Sequence, residues 1–162
     1  MKNEHGFSLV ELLIVVAIIA IIAAIAVPSL LTSRMAANEA SAIQGCRTVG
    51  SAEIAFAATN NQQFTELADL VTGQFLDSRF SDAGNVVNGY TYGAADVPVE
   101  GGNAFTSDLP TAFAVVATPN QGLGRFLYGV GPDQVVRYVN FQDPGTKLPE
   151  GSIEGTPIGK NN

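Results

Sequence analysis

The hydrophobic pattern divides the chain into three stretches. From Phe7 to Val27 there are 21 residues, of which only Ser8 and Glu11 are polar. Leu, Ile, Val and Ala fall on every helical face, so the run has no polar side on which to lie flat at an interface. Wound as a helix it rises roughly 31 Å, about the hydrocarbon thickness of a bilayer. The pattern predicts a helix able to span a membrane. A buried helix of a soluble core fits poorly, because the rest of the chain holds too little apolar material to surround it.

Pro28 lacks an amide donor and disfavours helical geometry at Val27, so a kink or loosening is expected there. Beyond it the pattern changes to a stripe. Leu31, Met35, Ala42, Cys46, Val49, Ala52 and Phe56 recur at helical spacing, while Arg34, Asn38, Glu39, Gln44, Arg47 and Glu53 mostly occupy the other faces. This predicts an amphipathic helix over 29–59, packed on one side against a globular head. Gly45 and Gly50 each weaken a helix by roughly 1 kcal/mol relative to Ala, so they mark a close approach of the sheet or a gentle bend.

From residue 60 onward the period shortens and Gly and Pro become frequent. Phe64, Leu67, Leu70 and Val71 suit one short helix, and "LDSRFSDAGN" reads as loop. "GYTYGA", "TAFAVVAT", "RFLYGV" and "QVVRYV" read as strands, the last two forming a hairpin about "GPDQ". The expected fold class is α+β, with an antiparallel sheet of three or four strands laid on the amphipathic helix. After Asn140 a Gly- and Pro-rich tail is expected to wrap the surface or move freely.

Charge narrows the possibilities further. Acids outnumber Lys plus Arg by 15 to 8 among 162 residues, and no basic cluster or aromatic–Arg interleaving suggests nucleic-acid binding. The single cysteine, Cys46, permits no intrachain disulfide, and its place on the stripe reads as a small hydrophobe. Glu11 is the anomaly. A carboxylate at mid-membrane depth costs about 2.5–3.5 kcal/mol, less near the interface. A removable secretory signal cut after Ala24-Ile25-Ala26 gains nothing from that cost. Its basic flank would also be weak, since Lys2 is accompanied by Glu4. A retained acid is better explained by a partner that neutralises it.

The stretch Gly6-Phe7-Ser8-Leu9-Val10-Glu11-Leu12-Leu13, its apolar continuation and Pro28 resemble the signature of type IV pilins and of the pseudopilins of type II secretion. The resemblance is tight from Gly6 to about Leu31 and general beyond. It implies a cleaved leader, 1–6, and a core helix, 7–28. A membrane prepilin peptidase would cut between Gly6 and Phe7 and methylate the new amino terminus of Phe7. Gly6, lacking a side chain, lets a protease approach the backbone closely. Glu11 would meet the Phe7 amine of a neighbouring subunit and set axial register during filament assembly. The bland alternative is a carboxylate that reaches back to its own amine or to the interface. Also implied are an assembly ATPase and an inner-membrane platform, with the precursor in the inner membrane and the product a homo-oligomeric filament.

The chain departs from many such proteins in having no disulfide across the carboxy-terminal region. Some pseudopilins hold that region with calcium, but the spacing of Asp133, Asp143, Glu150 and Glu154 fits no known loop, so no metal and no cofactor are expected. His5 lies in the leader, and no nucleophile elbow, phosphate loop or ligand cluster appears, so the chain is read as non-enzymatic. The favoured function is that of a major pilin, in a surface fibre serving adhesion, twitching motility or DNA uptake. A pseudopilin in a periplasmic filament is the alternative, and a single-pass anchored binding module or a secreted enzyme lies further off. Conduction along aromatic rings gains little support, because the long helix carries only Phe7 and Phe56.

Overall fold

A computed structural model describes residues 7–81, 85–94, 112–140 and 156–158. The chain forms two compact units, Met1–Arg34 and Met35–Asn162. Helix α1, Leu9–Thr59, is 51 residues long and continues through Pro28. Near that residue the Thr32 hydroxyl donates to the carbonyls of Ser29 and Pro28 at 2.9 and 3.3 Å, and the Ser33 hydroxyl donates to Ser29 at 2.9 Å. These hydroxyls bond the carbonyls of the preceding turn, a pattern associated with gentle bending.

The second unit holds α1 from Met35 onward, a short helix α2 (Leu67–Thr72) and an antiparallel sheet. The sheet comprises β1 (Val86–Val87), β2 (Tyr90–Ala94), β3 (Val115–Pro119), β4 (Phe126–Val130), β5 (Arg137–Asn140) and β6 (Thr156–Pro157). The spatial order follows the chain order. The α+β arrangement is as expected, with more strands than the predicted three or four. The additions, β1 and β6, are two residues long, too short to leave a periodic signal.

Local chemistry explains the boundaries. Asn88 and Gly89 join β1 to β2 with φ of 49° and 82°, the left-handed pair that a tight two-residue hairpin requires. The predicted strand "TAFAVVAT" begins only at Val115 and runs onto Pro119, where Pro119 pairs with Tyr90. "QVVRYV" becomes strand at Arg137, because Asp133 accepts the Val135 N–H at 3.1 Å and holds a turn there. Within the predicted loop, Ser78–Phe80 forms one 3₁₀ turn capped by Asp77, and Phe80 is buried.

The sheet face that covers the helix is set by register. Tyr92 lies opposite Ala117, Ala117 opposite Tyr128, and Tyr128 opposite Tyr138. Tyr90, Tyr92, Ala117, Tyr128 and Val130 pack with Ala42, Cys46, Val49 and Ala52 of α1 in one core. Here Gly45 has a definite role: a Cβ at that position would stand 2.6 Å from Tyr92 Cζ. The close approach predicted for Gly45 and Gly50 is therefore present, Gly50 lying under Gln134, whose amide donates to the Gly50 carbonyl at 3.1 Å.

Two expectations are corrected. Glu39 and Glu53, assigned to the polar faces, are buried at 6% and 1% exposure. Leu31, placed on the stripe, is exposed. Among the buried positions, 39, 42, 46, 49, 53 and 57 advance in steps of three and four, with Gly45, Gly50 and Ala52 buried beside them, so the stripe runs straight through both acids. Most of the carboxy-terminal tail lies outside the described residues. Within it Thr156 and Pro157 pair with Tyr138 and Arg137 of β5, and the Ile158 N–H donates to the Val136 carbonyl at 3.2 Å.

Candidate functional site

The unusual surface among the described residues is the first half of α1. Fifteen large apolar side chains between Leu9 and Leu31 are exposed, and none of the most apolar window of this helix is buried. Fully burying a side chain of this kind stabilises by about 1.5–3 kcal/mol. The total at stake is on the order of tens of kcal/mol, far beyond the whole stability of a typical domain. A helix with this surface belongs in lipid or against other helices. By length and composition it can cross a membrane.

Glu11 lies in the first turn. Ser8 precedes the helix, and its backbone N–H donates to Glu11 Oε2 at 3.0 Å. This is half of a capping box, Ser-x-x-Glu, in which the acid three residues into the helix satisfies an amide that the helix leaves unpaired. The helix dipole adds to the attraction, since its positive end faces the carboxylate. The pattern was present in the residue order, and the apolar context obscured it. In this chain Glu11 thus reaches back to its own end, at the Ser8 amide. Phe7 is exposed at 85%, one residue before that amide. Gly6 lies outside the described residues.

The second unit contributes two buried acids with opposite surroundings. Glu39 accepts from the Arg125 backbone N–H at 2.9 Å, from Arg125 Nε at 3.0 Å and from its Nη2 at 2.9 Å. The guanidinium hydrogen bonds hold the Glu39 carboxyl below the usual range, in spite of its burial. Arg125 in turn lies over the Phe126 ring, 5.3 Å from its centroid. Asn38 donates to the Leu123 carbonyl at 3.0 Å, so the loop before β4 is pinned to α1 at two adjacent positions. Glu53 has no such cation among the described residues.

Other candidates from the sequence take ordinary roles. Cys46 is wholly buried, and desolvation pushes its thiol up to about 12, which leaves it inert. Asp133 forms an ion pair with Arg137 at 2.6 Å; Asp143, Glu150 and Glu154 lie outside the described residues. Among the described residues no group of three or more His, Cys, Asp or Glu is placed to hold a metal ion. Tyr90, Tyr128, Phe126 and Tyr138 form a run of neighbouring rings with centroids 6.0, 6.4 and 5.2 Å apart. These rings belong to the core and its margin, and the helix rings are not among them.

A capped apolar helix of spanning length is thus followed by an α+β head, and known proteins resemble this chain at its amino-terminal segment. The family model for the prokaryotic N-terminal methylation motif matches residues 1–27. Over 39 residues the chain is 51% identical to the type IV wide pilus major component PilA4 of Thermus thermophilus. That match covers 24% of this chain and 30% of the relative, so the two are alike over less than a third of either length.

Proposed function

We propose that the chain is a structural subunit, the major pilin, of a type IV pilus filament. The observation that carries this reading is an unburied apolar helix with a single acid at its capped start. A prepilin peptidase cuts between Gly6 and Phe7 and methylates the Phe7 amine. The mature helix rests in the inner membrane until an ATPase-driven platform lifts it out, and neighbouring helices then replace the lipid around it. Extraction is feasible because the fifteen exposed side chains exchange one apolar surrounding for another.

Glu11 supplies the register. Leu and Ile surfaces pack nearly as well at one height as at another, whereas a carboxylate in low dielectric strongly favours the one position that brings it to a cation. The new Phe7 amine of a neighbour is such a cation, and Glu11 exchanges its Ser8 amide contact for it. Each subunit then offers one acid and one amine at different heights, a head-to-tail contact that propagates without closing. Pro28 gives the helix local freedom at the membrane boundary. The relative named above as a pilus major component favours the fibre over the secretion piston.

Sheared-cell fractions test the proposal. Long fibres should contain a protein beginning at methylated Phe7 by mass spectrometry, and Gly6→Leu should leave the leader in place. Glu11→Ala should abolish fibres while leaving processing intact. Normal fibre yield from Glu11→Ala would refute the register role, and fibre-free cells holding the mature chain only in the periplasm would favour the pseudopilin.

A further inference from the structure

The buried face of α1 carries one carboxyl that no cation among the described residues balances. Glu53 is 1% exposed, and its hydrogen-bond donor among those residues is the Thr65 backbone N–H, 3.3 Å from Oε2. We propose that Glu53 is a proton-operated latch on the connection between α1 and α2: neutral, it keeps Asn60–Glu66 docked on the helix, and ionised, it releases that stretch together with α2.

The geometry of the connection supports such a role. Past Thr59 the chain reverses through Asn61 and Gln62, both in the left-handed region with φ of 55° and 61°, and the Gln62 N–H donates to the Ala57 carbonyl at 2.8 Å. This return brings Thr65 level with Glu53. Two successive non-glycine residues in that region are strained and persist only while the surroundings hold them. The other ties are the Phe64 ring on Phe113, with centroids 4.9 Å apart, and the packing of Leu67, Leu70 and Val71. Thr65 also donates its hydroxyl to Asp69 at 2.8 Å. An ionised Glu53 would thus place a second negative charge on the other side of the same residue.

The charged groups on the elements around Glu53 are few. Arg47 is on the exposed side of α1, Glu66 and Asp69 are on the connection and α2, Asp77 and Arg79 at the 3₁₀ turn beside α2 are paired with each other, and so are Asp133 and Arg137 of the β4–β5 hairpin. Burial raises the Glu53 carboxyl from 4.5 to about 7, with the Thr65 N–H acting in the opposite direction. The docked state therefore retains a proton that the released state has lost. Its advantage is complete below 4.5, falls as pH rises toward 7, and levels beyond. Within that window the released population grows about tenfold per pH unit.

Amide hydrogen exchange of the full-length processed protein in detergent micelles, corrected for intrinsic rates between about pH 5 and about pH 8, tests the latch without reference to filament assembly. The expected result is accelerated exchange of Asn60–Thr72 as pH rises, with the Thr65 amide foremost and the Glu39–Arg125 region unchanged. Glu53→Gln should remove the acceleration, and Asp69→Asn should weaken it without removing it. An unchanged pH profile in Glu53→Gln, or none in the wild type, overturns the proposal. Should Glu53→Gln fail to fold, the ¹³C shift of the wild-type Glu53 carboxyl decides: a midpoint near 7 supports the latch and one near 4.5 overturns it.

Discussion

Gly45→Ala is the sharpest test of how the head is seated on its helix, because two effects of known sign compete there. In an exposed helix the change stabilises by about 1 kcal/mol. Here the added methyl would stand 2.6 Å from Tyr92 Cζ and 2.9 Å from Cε1, with the hydroxyl oxygen nearer still. Ordinary carbon contacts begin at about 3.5 Å, so the ring must retreat by about 1 Å. It has little room to do so. Tyr92 is buried, its ring meets Phe80 edge-on at 4.9 Å, and its hydroxyl donates to the Ala42 carbonyl at 3.4 Å. Overpacking of this kind costs roughly 1–3 kcal/mol, and a lost hydrogen bond about 1 kcal/mol more. After subtracting the helix gain, a net destabilisation of about 1–3 kcal/mol is expected. Thermal unfolding of the full chain in micelles, followed by tyrosine near-ultraviolet signal, should show a melting point lower by about 2–4 °C per kcal/mol. Replacing Tyr92 by Leu in the same background should recover part of the difference, since the clash partner is removed. A melting point for Gly45→Ala at or above wild type would refute the close packing of sheet on helix.

Gly50→Ala should cost less, ending near neutral in the same assay, because its new methyl would meet the flexible end of Gln134, whose Oε1 lies at 2.8 Å, and the buried Val130 Cγ2 at 3.2 Å, contacts that offset the helix gain. Glu39→Gln should lower the melting point at neutral pH and have little effect in acid. Its carboxyl is held below the ordinary value by Arg125, so the stability it contributes is present above 4.5 and lost as pH falls through the lower folded value. Much of the Arg125 side chain is in water, and screening keeps the effect modest. Cys46 should resist thiol reagents in the folded protein and react fully in denaturant, as judged by mass; rapid labelling under native conditions would contradict its burial.

What could be read in the residue order depended on how periodic each element is. The apolar helix was plain, since 21 residues with two polar exceptions admit few structures. The end of α1 at Thr59 and the short helix beyond it were also legible, because a change of period and the polar "NNQQ" mark them. The buried acids were not, because composition assigns Glu to water. Only the partner 86 residues away, Arg125, makes the position of Glu39 tolerable, and no local pattern announces such a partner. Glu53 is harder still, as its partner is a backbone amide. The 3–4 spacing through both acids was the available signal, and it conflicts with their polarity. The Ser8–Glu11 cap was concealed differently: an acid amid Leu and Val suggests a distant cation before it suggests an amide three residues back.

The shortness of β1, two residues, bears on what a crowd of such heads can do to one another. A long bare strand at the margin of a sheet is a template on which a neighbouring molecule can continue the ladder, and repetition of that event leads to amyloid. A two-residue strand offers too few amides for such templating to compete. In a filament of the proposed kind, heads crowded side by side would therefore stay separate folds at this margin, and growth would be left to the greasy stems.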